Sequence, residues 1–344
     1  MSSCKFLVEN MKTLFRISML AVGLLSPHAS AVIVAGASGG SNTTNNTTQA
    51  QFVSEYGISF PIYDNVVQYS DASGIYLGHN ASTKDVWVLT ARHITTNGSA
   101  GSTIVIDGLT YNRQAEGIDG YGVQVGGDLR LVRYKRLDLA VPSLQAVAIS
   151  TTVPVALTQL MMVGYGQNRT EFATGDASTS DATSTTVGTG YHWSGTNLKR
   201  WGINHIEAEF LNALEVPTAV TGTTGTFSMG YNTIGYMTDF DEPVSGQWLD
   251  SNEAQGSLGD SGGSAFYYSG GQWYLSGIFS SIATFGGQAG NTSAFGNLSL
   301  LTDVASYSSS INTALSGVTL VPEPSTVWLM AFGAMALLRR KRCA

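Results

Sequence analysis

A short glycine-flanked segment, Gly259-Asp260-Ser261-Gly262-Gly263, carries a residue suited to nucleophilic chemistry. A serine hydroxyl attacks a carbonyl when a tight turn exposes it and backbone N–H groups point to where an oxyanion forms. The glycines allow such a turn and let a substrate approach the backbone closely. Gly, Asp and Ser are also common in surface turns, so the segment predicts catalysis only if the chain supplies a base and an acid.

Two further segments supply a candidate base and a candidate acid. A predicted strand begins at Val86 and leads into Thr90-Ala91-Arg92-His93, which puts His93 at the end of this strand. Residues 137–141, Leu-Asp-Leu-Ala-Val, put the carboxylate of Asp138 among apolar neighbours, where it is costly without a partner. An imidazole would be such a partner, so we expect Asp138 to orient His93 and His93 to activate Ser261. Taken singly, the histidine and the aspartate each also fit a structural role.

The elements that must position these residues are predicted to be strands. From residue 51 to about residue 316, short runs of β-branched and aromatic residues alternate with Gly, Asn, Asp and Ser. This pattern predicts an all-β sandwich or a pair of barrels. Helical periodicity is best developed at residues 302–315. The Ser-, Thr- and Gly-rich stretch at residues 174–190 predicts a long surface loop.

The composition excludes several classes of protein. Charged residues make up 12% of the 344, about half of the usual share of roughly 25%, and hydrophobic residues make up 43%, which excludes a highly charged disordered chain. The formal net charge is −7, and the basic residues gathered near both termini leave a still more acidic body, which argues against nucleic-acid binding. The two cysteines, Cys4 and Cys343, lie at the ends, so we expect no disulfide, cysteine-bound metal or cofactor in the body.

The N-terminal residues 1–31 predict a secretory signal peptide. Residues 11–16 are a positively charged start beginning at Met11, residues 17–25 are apolar, and Ala29-Ser30-Ala31 is a small-x-small cleavage site. A membrane anchor is the alternative, but the apolar run is short for a span of about 20 residues. Residues 32–50 are mostly polar and of low complexity, and we interpret them as a linker.

The C-terminal residues 321–344 combine Pro322-Glu323-Pro324, an apolar run at 327–338 and a basic cluster at 339–342. Twelve helical residues cover about 18 Å, less than the ~30 Å hydrocarbon core, and a basic cluster stays cytoplasmic. This order of parts resembles the PEP-CTERM sorting signal of bacterial envelope proteins. The resemblance implies processing by an exosortase and a protein that is secreted or held at the outer face of the envelope, with a plain transmembrane tail anchor as the alternative.

With the order His, Asp, Ser, the body resembles the chymotrypsin/trypsin-like serine peptidases. Val163-Gly-Tyr-Gly166 resembles the opening of that family's second barrel, and Leu275-Ser-Gly-Ile-Phe-Ser280 resembles the strand that lines its substrate cleft. The resemblance implies two antiparallel six-stranded β-barrels, at residues 51–152 and 153–316, and a short C-terminal helix. The three catalytic residues would lie in the cleft between the barrels.

The resemblance also implies roles for further residues. The backbone N–H groups of Gly259 and Ser261 would form the oxyanion hole. Gln255, Ser280 and Ile282 would line the substrate pocket, where a neutral Gln255 and a bulky Ile282 favour small or medium apolar side chains. In this family a freed N-terminus pairs with the aspartate before the nucleophile, here Asp260, and residues 33–36 resemble that N-terminus faintly. Alternatively, other donors stabilise Asp260 and no such activation step exists.

Three functions follow as hypotheses. The first is a serine endopeptidase that hydrolyses protein or peptide substrates through an acyl-enzyme, without metal or cofactor. The second is a catalytically inactive double-barrel protein that binds a partner or the matrix at the cell envelope. The third is a peptidase that cleaves its own linker at residues 36–50. The sequence makes no prediction of the oligomeric state.

Overall fold

The computed structural model describes residues 32–34, 46–94, 101–115, 117, 120–169, 190–207, 223–241, 252–285, 288 and 290–315. Within these ranges the chain is built mainly from antiparallel strands, which form two barrels, together with two α-helices. The predicted signal peptide at 1–31, most of the predicted loop at 174–190 and the predicted sorting tail at 321–344 lie outside the described residues. Among the described residues, no helix has both the length and the apolar character needed to cross a membrane.

The first barrel is formed from the N-terminal strands of the body. Its strands are β2 (Val66–Tyr69), β3 (Ala72–His79), β4 (Val86–Ala91), β5 (Thr103–Ile106), β6 (Leu109–Arg113), β7 (Val123–Gly126) and β8 (Leu129–Lys135). Six of them pair in the order β2-β3-β4-β8-β6-β5, and β7 adds to β8. Strand β5 lies against β2, which closes the sheet into a barrel.

The second barrel follows in sequence. Its strands are β9 (Ala148–Ile149), β10 (Gln159–Arg169), β11 (Gly190–His205), β12 (Gly225–Ser228), β13 (Asn232–Asp239), β15 (Ser264–Ser269), β16 (Gln272–Ala283), β17 (Thr292–Ala294) and β18 (Leu298–Asp303). The pairing order is β12-β13-β18-β16-β15-β10-β11-β17, with β9 added in parallel to β16. Asn204, on β11, donates from Nδ2 to the carbonyl oxygen of Asp239 on β13 at 2.8 Å, where the sheet closes.

Both barrels share one topology. If the six ring strands of each barrel are numbered in chain order, their order around the sheet is first, second, third, sixth, fifth and fourth. The fourth strand then lies beside the first, which closes the ring. The prediction of two antiparallel six-stranded barrels is therefore confirmed, with β7, β9, β12 and β17 as additions.

Alternating apolar residues explain how the barrels meet. On β4, Val86 and Val88 fill the first barrel, whereas Trp87 and Leu89 belong to the apolar cluster between the barrels. On β10, Met161 and Val163 join that same cluster, while the residues that alternate with them fill the second barrel. Successive strand residues point to opposite faces, so strands buried on both faces are apolar throughout. This packing joins the two barrels along the seam that carries the site.

Two elements lie in the stretch interpreted as a linker. Strand β1 (Ile33–Val34) pairs with β14 (Ala254–Gln255), and helix α1 (Gln49–Tyr56) begins at a capping box of Thr48 and Gln51. Both ends of the stretch 32–50 are therefore structured, unlike a linker. The first end pairs with β14, and the second begins helix α1, which buries Phe52 in the cluster between the barrels. Residues 35–45 lie outside the described residues.

The C-terminal helix is where the sequence predicts it. Helix α2 (Val304–Ala314) begins at Asp303, whose carboxylate accepts the backbone N–H groups of Ala305 and Ser306. A carboxylate at this position satisfies N–H groups that the first helical turn leaves open. The helix buries Val304 and Ile311 in the cluster between the barrels.

Candidate active site

The structure brings His93, Ser261 and Asp128 together at the seam between the barrels. His93 follows β4, Asp128 precedes β8, and Ser261 precedes β15. The Nε2 atom of His93 lies 2.8 Å from Oγ of Ser261, and its Nδ1 atom lies 2.6 Å from Oδ2 of Asp128. The histidine side chain is 11% exposed and the aspartate side chain is fully buried. The side chains of His93 and Ser261, which the sequence predicts to interact, are therefore within direct hydrogen-bond distance.

Asp128 is fixed from three directions. Its Oδ1 atom accepts the backbone N–H of His93 at 2.8 Å, and its Oδ2 atom receives the hydrogen bond of the imidazole. The hydroxyl of Ser280, on β16 of the second barrel, also donates to Oδ2. A buried carboxylate needs such donors to offset its lost hydration. They leave one carboxylate oxygen directed at the imidazole.

The prediction that Asp138 is the partner of His93 is wrong. Asp138 is more than half exposed, and its carboxylate accepts hydrogen bonds from Arg136 at 2.9 and 2.7 Å. The hydrogen bond from Arg136 lowers the pKa of Asp138 to about 2. The whole of β8 lies between Asp128 and Asp138, so Asp138 sits at the end of the strand remote from His93.

The error came from the interpretation of residues 137–141 as a buried strand. Leu137 is fully exposed, and Leu139 is half exposed with a φ of 58°, so these residues form a turn. The sequence does hold a signal for the aspartate that contacts His93. Asp128 stands directly before the run Leu-Arg-Leu-Val, which alternates as a strand does, and after two glycines.

The turn at residues 259–263, called the nucleophile turn after the predicted role of Ser261, requires its glycines. Gly259 has a φ of 108° and Gly262 a φ of 80°, values that favour glycine. A Cβ at Gly262 would collide with the carbonyl oxygen of Ser73 and the hydroxyl of Thr90, both on the first barrel. In the described part of the chain, neither the Gly259 N–H nor the Ser261 N–H donates to another protein group. Both N–H groups belong to the short segment that ends at Ser261, and both remain available to an external acceptor.

The predicted pocket residues do not form one lining. Gln255 is fully buried, and its Oε1 atom accepts a hydrogen bond of 3.0 Å from Ser299. The hydroxyl of Ser280 donates a hydrogen bond to the carboxylate of Asp128. Ile282 lies close to Gly256, since a Cβ built there would be 3.1 Å from its Cγ2 atom. The space beside Gly256 is therefore narrow.

Asp260, next to Ser261, is fully buried, and burial raises its pKa well above its usual value. Its carboxylate lies over Gly164, where a Cβ would overlap Oδ1. Gly164 pairs directly with Arg200 across β10 and β11, and Arg200 is only 2% exposed. The guanidinium of Arg200 lowers the pKa of Asp260 and so opposes the effect of burial. Sequence reasoning missed Arg200, because a charged residue in a strand is usually taken as solvent-facing.

The segment predicted to resemble an activation N-terminus lies against the second barrel. Ile33 pairs with Gln255 and Val34 with Ala254, and residues 32–34 are buried. This places the segment beside the chain that leads into the nucleophile turn. Over the ranges described, no group of three or more His, Cys, Asp or Glu residues is arranged to hold a metal ion.

Comparisons with known proteins give one sequence match and several structural similarities. The PEP-CTERM protein-sorting motif matches residues 320–342. No curated protein matches the sequence of the chain.

Three solved structures illustrate the structural similarity. Rv3671c from M. tuberculosis H37Rv is 11% identical over 85% of this chain and 100% of its own, with a TM-score of 0.40. Kallikrein-related peptidase 10 is 12% identical over 74% of this chain and 97% of its own, with a TM-score of 0.39. A mutant of human heparin binding protein is 14% identical over 76% of this chain and 96% of its own, with a TM-score of 0.42. The fold itself rests on the strand order of the two barrels.

Proposed function

We propose that the protein is a secreted or envelope-associated serine endopeptidase with Ser261 as nucleophile, His93 as general base and Asp128 as the acid that orients it. The observation that carries this proposal is the continuous hydrogen-bonded chain from Ser261 through His93 to Asp128. A nucleophile within hydrogen-bond reach of a base, which a third group orients in turn, is the arrangement that activates a serine.

The proposed reaction follows from these positions. Oγ of Ser261 forms a bond to the peptide carbonyl carbon while its proton passes to Nε2 of His93. The resulting oxyanion accepts hydrogen bonds from the N–H groups of Gly259 and Ser261. His93 then returns the proton to the departing amine as the C–N bond breaks, which leaves an acyl-enzyme. A water molecule, deprotonated by His93, hydrolyses the ester and restores Ser261.

Asp128 acts through His93 rather than on the substrate. The Nδ1–H group donates to its carboxylate, which holds the imidazole in the tautomer whose Nε2 can accept a proton. The same carboxylate stabilises the imidazolium formed during the reaction.

Labelling with a fluorophosphonate probe tests this function. The purified full chain should form a covalent adduct at Ser261, and the adduct should be lost in Ser261→Ala. Ser310→Ala, at an exposed serine on α2, is the matched control and should label as wild type does. A folded wild-type protein that fails to label would instead favour the catalytically inactive binding protein.

The sorting motif gives the proposal its cellular location. The match at residues 320–342 supports export and exosortase processing. Deletion of residues 320–344 is expected to move the protein from the envelope fraction to the medium, with probe labelling of Ser261 retained. Cell fractionation followed by immunoblotting measures this. An unchanged distribution would contradict a sorting role for the tail.

A further inference from the structure

Ser73, on β3 of the first barrel, is bound to the nucleophile turn of the second barrel through its side chain and its backbone. Its hydroxyl donates to the carbonyl oxygen of Gly259 at 2.8 Å and accepts the N–H of Tyr165 at 2.8 Å. Its own N–H donates to the carbonyl oxygen of Ser261 at 2.9 Å. Its carbonyl oxygen accepts the hydroxyl of Thr90 at 2.6 Å. Ser73 is fully buried, so water does not compete for these bonds.

Two hydrogen bonds, one from Ser73 and one from Gln167, fix the peptide groups on the two sides of Gly259. The carbonyl oxygen of Gly259, on the peptide that follows, is held by the hydroxyl of Ser73. The carbonyl oxygen of Leu258, on the peptide that precedes, accepts the N–H of Gln167 at 3.0 Å. In a planar trans peptide the N–H and C=O groups point in opposite directions. The Gly259 N–H is thereby directed away from Gln167, and its orientation is set before a substrate binds.

We propose that Ser73 is a positioning residue that holds the oxyanion-binding turn in its competent geometry. A hydroxyl can accept the Tyr165 N–H and donate to the Gly259 carbonyl at once, which no apolar side chain can do. Contacts between the two barrels then organise the turn, and Ser73 links the first barrel to the segment that carries the oxyanion donors. This role rests on the proposed function, in which Gly259 donates to the oxyanion.

The Ser73→Ala variant tests the role kinetically. Removal of one oxyanion donor costs about 10²–10³ in kcat, and a misdirected donor should cost part of that, so we expect kcat to fall about 10- to 100-fold. KM should stay unchanged, because the oxyanion exists only in the transition state. The pH midpoint of kcat/KM should also stay unchanged, because His93 and Asp128 keep their contacts. The affinity for a peptide boronic acid, which forms an anionic tetrahedral adduct, should fall with kcat.

Ser150→Ala is the matched control. Ser150 is also buried and donates its hydroxyl to the carbonyl oxygen of Thr152, but it lies on the connection between the barrels. This variant should lose stability without losing kcat. A Ser73→Ala variant whose kcat and boronate affinity equal those of the control would overturn the proposal.

Hydrogen exchange separates this proposal from the proposed function. In Ser73→Ala the amide of Tyr165 and the segment 256–262 should exchange faster than in wild type, whether or not the protein is active. If the Ser73→Ala variant exchanges faster but the wild-type protein does not react with the probe, the positioning role of Ser73 is retained and the peptidase function is rejected. Unchanged exchange at Tyr165 and in the segment 256–262 would reject the positioning role of Ser73, even if the wild-type protein is an active peptidase.

Discussion

Replacing Asp128 by Asn should lower kcat for peptide hydrolysis by about 10⁴-fold, whereas Asp138→Asn should leave it within about twofold of wild type. The two variants make the same chemical change at two aspartates ten positions apart. One carboxylate is buried against Nδ1 of His93 and the other is exposed and paired with Arg136. The pair therefore assigns the acid directly.

The size of the first effect follows from the imidazole tautomer. Asp128 accepts hydrogen bonds from both the backbone N–H and the Nδ1–H of His93, which leaves Nε2 free to take the proton of Ser261. An asparagine amide can instead donate to Nδ1 and favour the tautomer with the proton on Nε2. That tautomer cannot act as a base, and the neutral amide also stabilises the imidazolium less.

The measurement is kcat with a chromogenic peptide substrate, together with the rate of fluorophosphonate labelling. Circular dichroism of both variants establishes that each remains folded. Loss of activity in Asp138→Asn with retention in Asp128→Asn would refute the assignment of Asp128. Equal and small effects in both variants would mean that neither carboxylate orients the base.

The sequence predicts the contact between Ser261 and His93 because each residue is marked by its immediate neighbours. Glycines surround Ser261, and an apolar strand ends just before His93. The proposed acid depends on contacts made across the fold, since Asp128 meets His93 through the pairing of β4 with β8 and meets Ser280 from the other barrel. Local composition instead favoured Asp138, whose flanking leucines are exposed.

The barrels were predictable because their strands are rich in β-branched and aromatic residues with frequent turns between them. Helix α1 and strand β1 were not, because each adjoins a polar low-complexity stretch and is stabilised by distant residues. Phe52 of α1 packs edge-on to Trp201 at a ring distance of 5.3 Å, and Ile33 pairs with Gln255. Neither partner can be identified from the neighbouring sequence.

The second large effect is expected at the buried charges beside the nucleophile. At pH 8, Arg200→Met should lower the free energy of unfolding by about 1–3 kcal/mol, because Asp260 then loses the buried positive charge that favours its ionised form. Asp260 is fully buried over Gly164, and Arg200 stands directly across the strand pair from that glycine. Arg200→Lys keeps the charge and should lose less. Urea unfolding of both variants measures the difference.

The dependence on pH identifies Asp260 as the cause. Burial raises the pKa of Asp260, so the folded protein keeps this proton at pH values where the unfolded chain, with a pKa near 3.8, has released it. The contribution of Asp260 to stability therefore falls as the pH rises from 3.8 towards the raised folded pKa. Arg200 limits that loss by favouring the ionised carboxylate. The penalty of Arg200→Met should accordingly be small at acidic pH and grow as the pH rises.

A double-mutant cycle isolates the pair. In an Asp260→Asn background there is no carboxylate to ionise, so Arg200→Met should cost less than it does in wild type and its cost should lose its dependence on pH. Additive penalties at pH 8 would show that Arg200 acts through other neighbours and would leave Asp260 to be stabilised by a different cation. A coupled, pH-dependent penalty would mean that a residue of β11 supplies the positive charge for the nucleophile turn, a role that needs no cleavage of the chain.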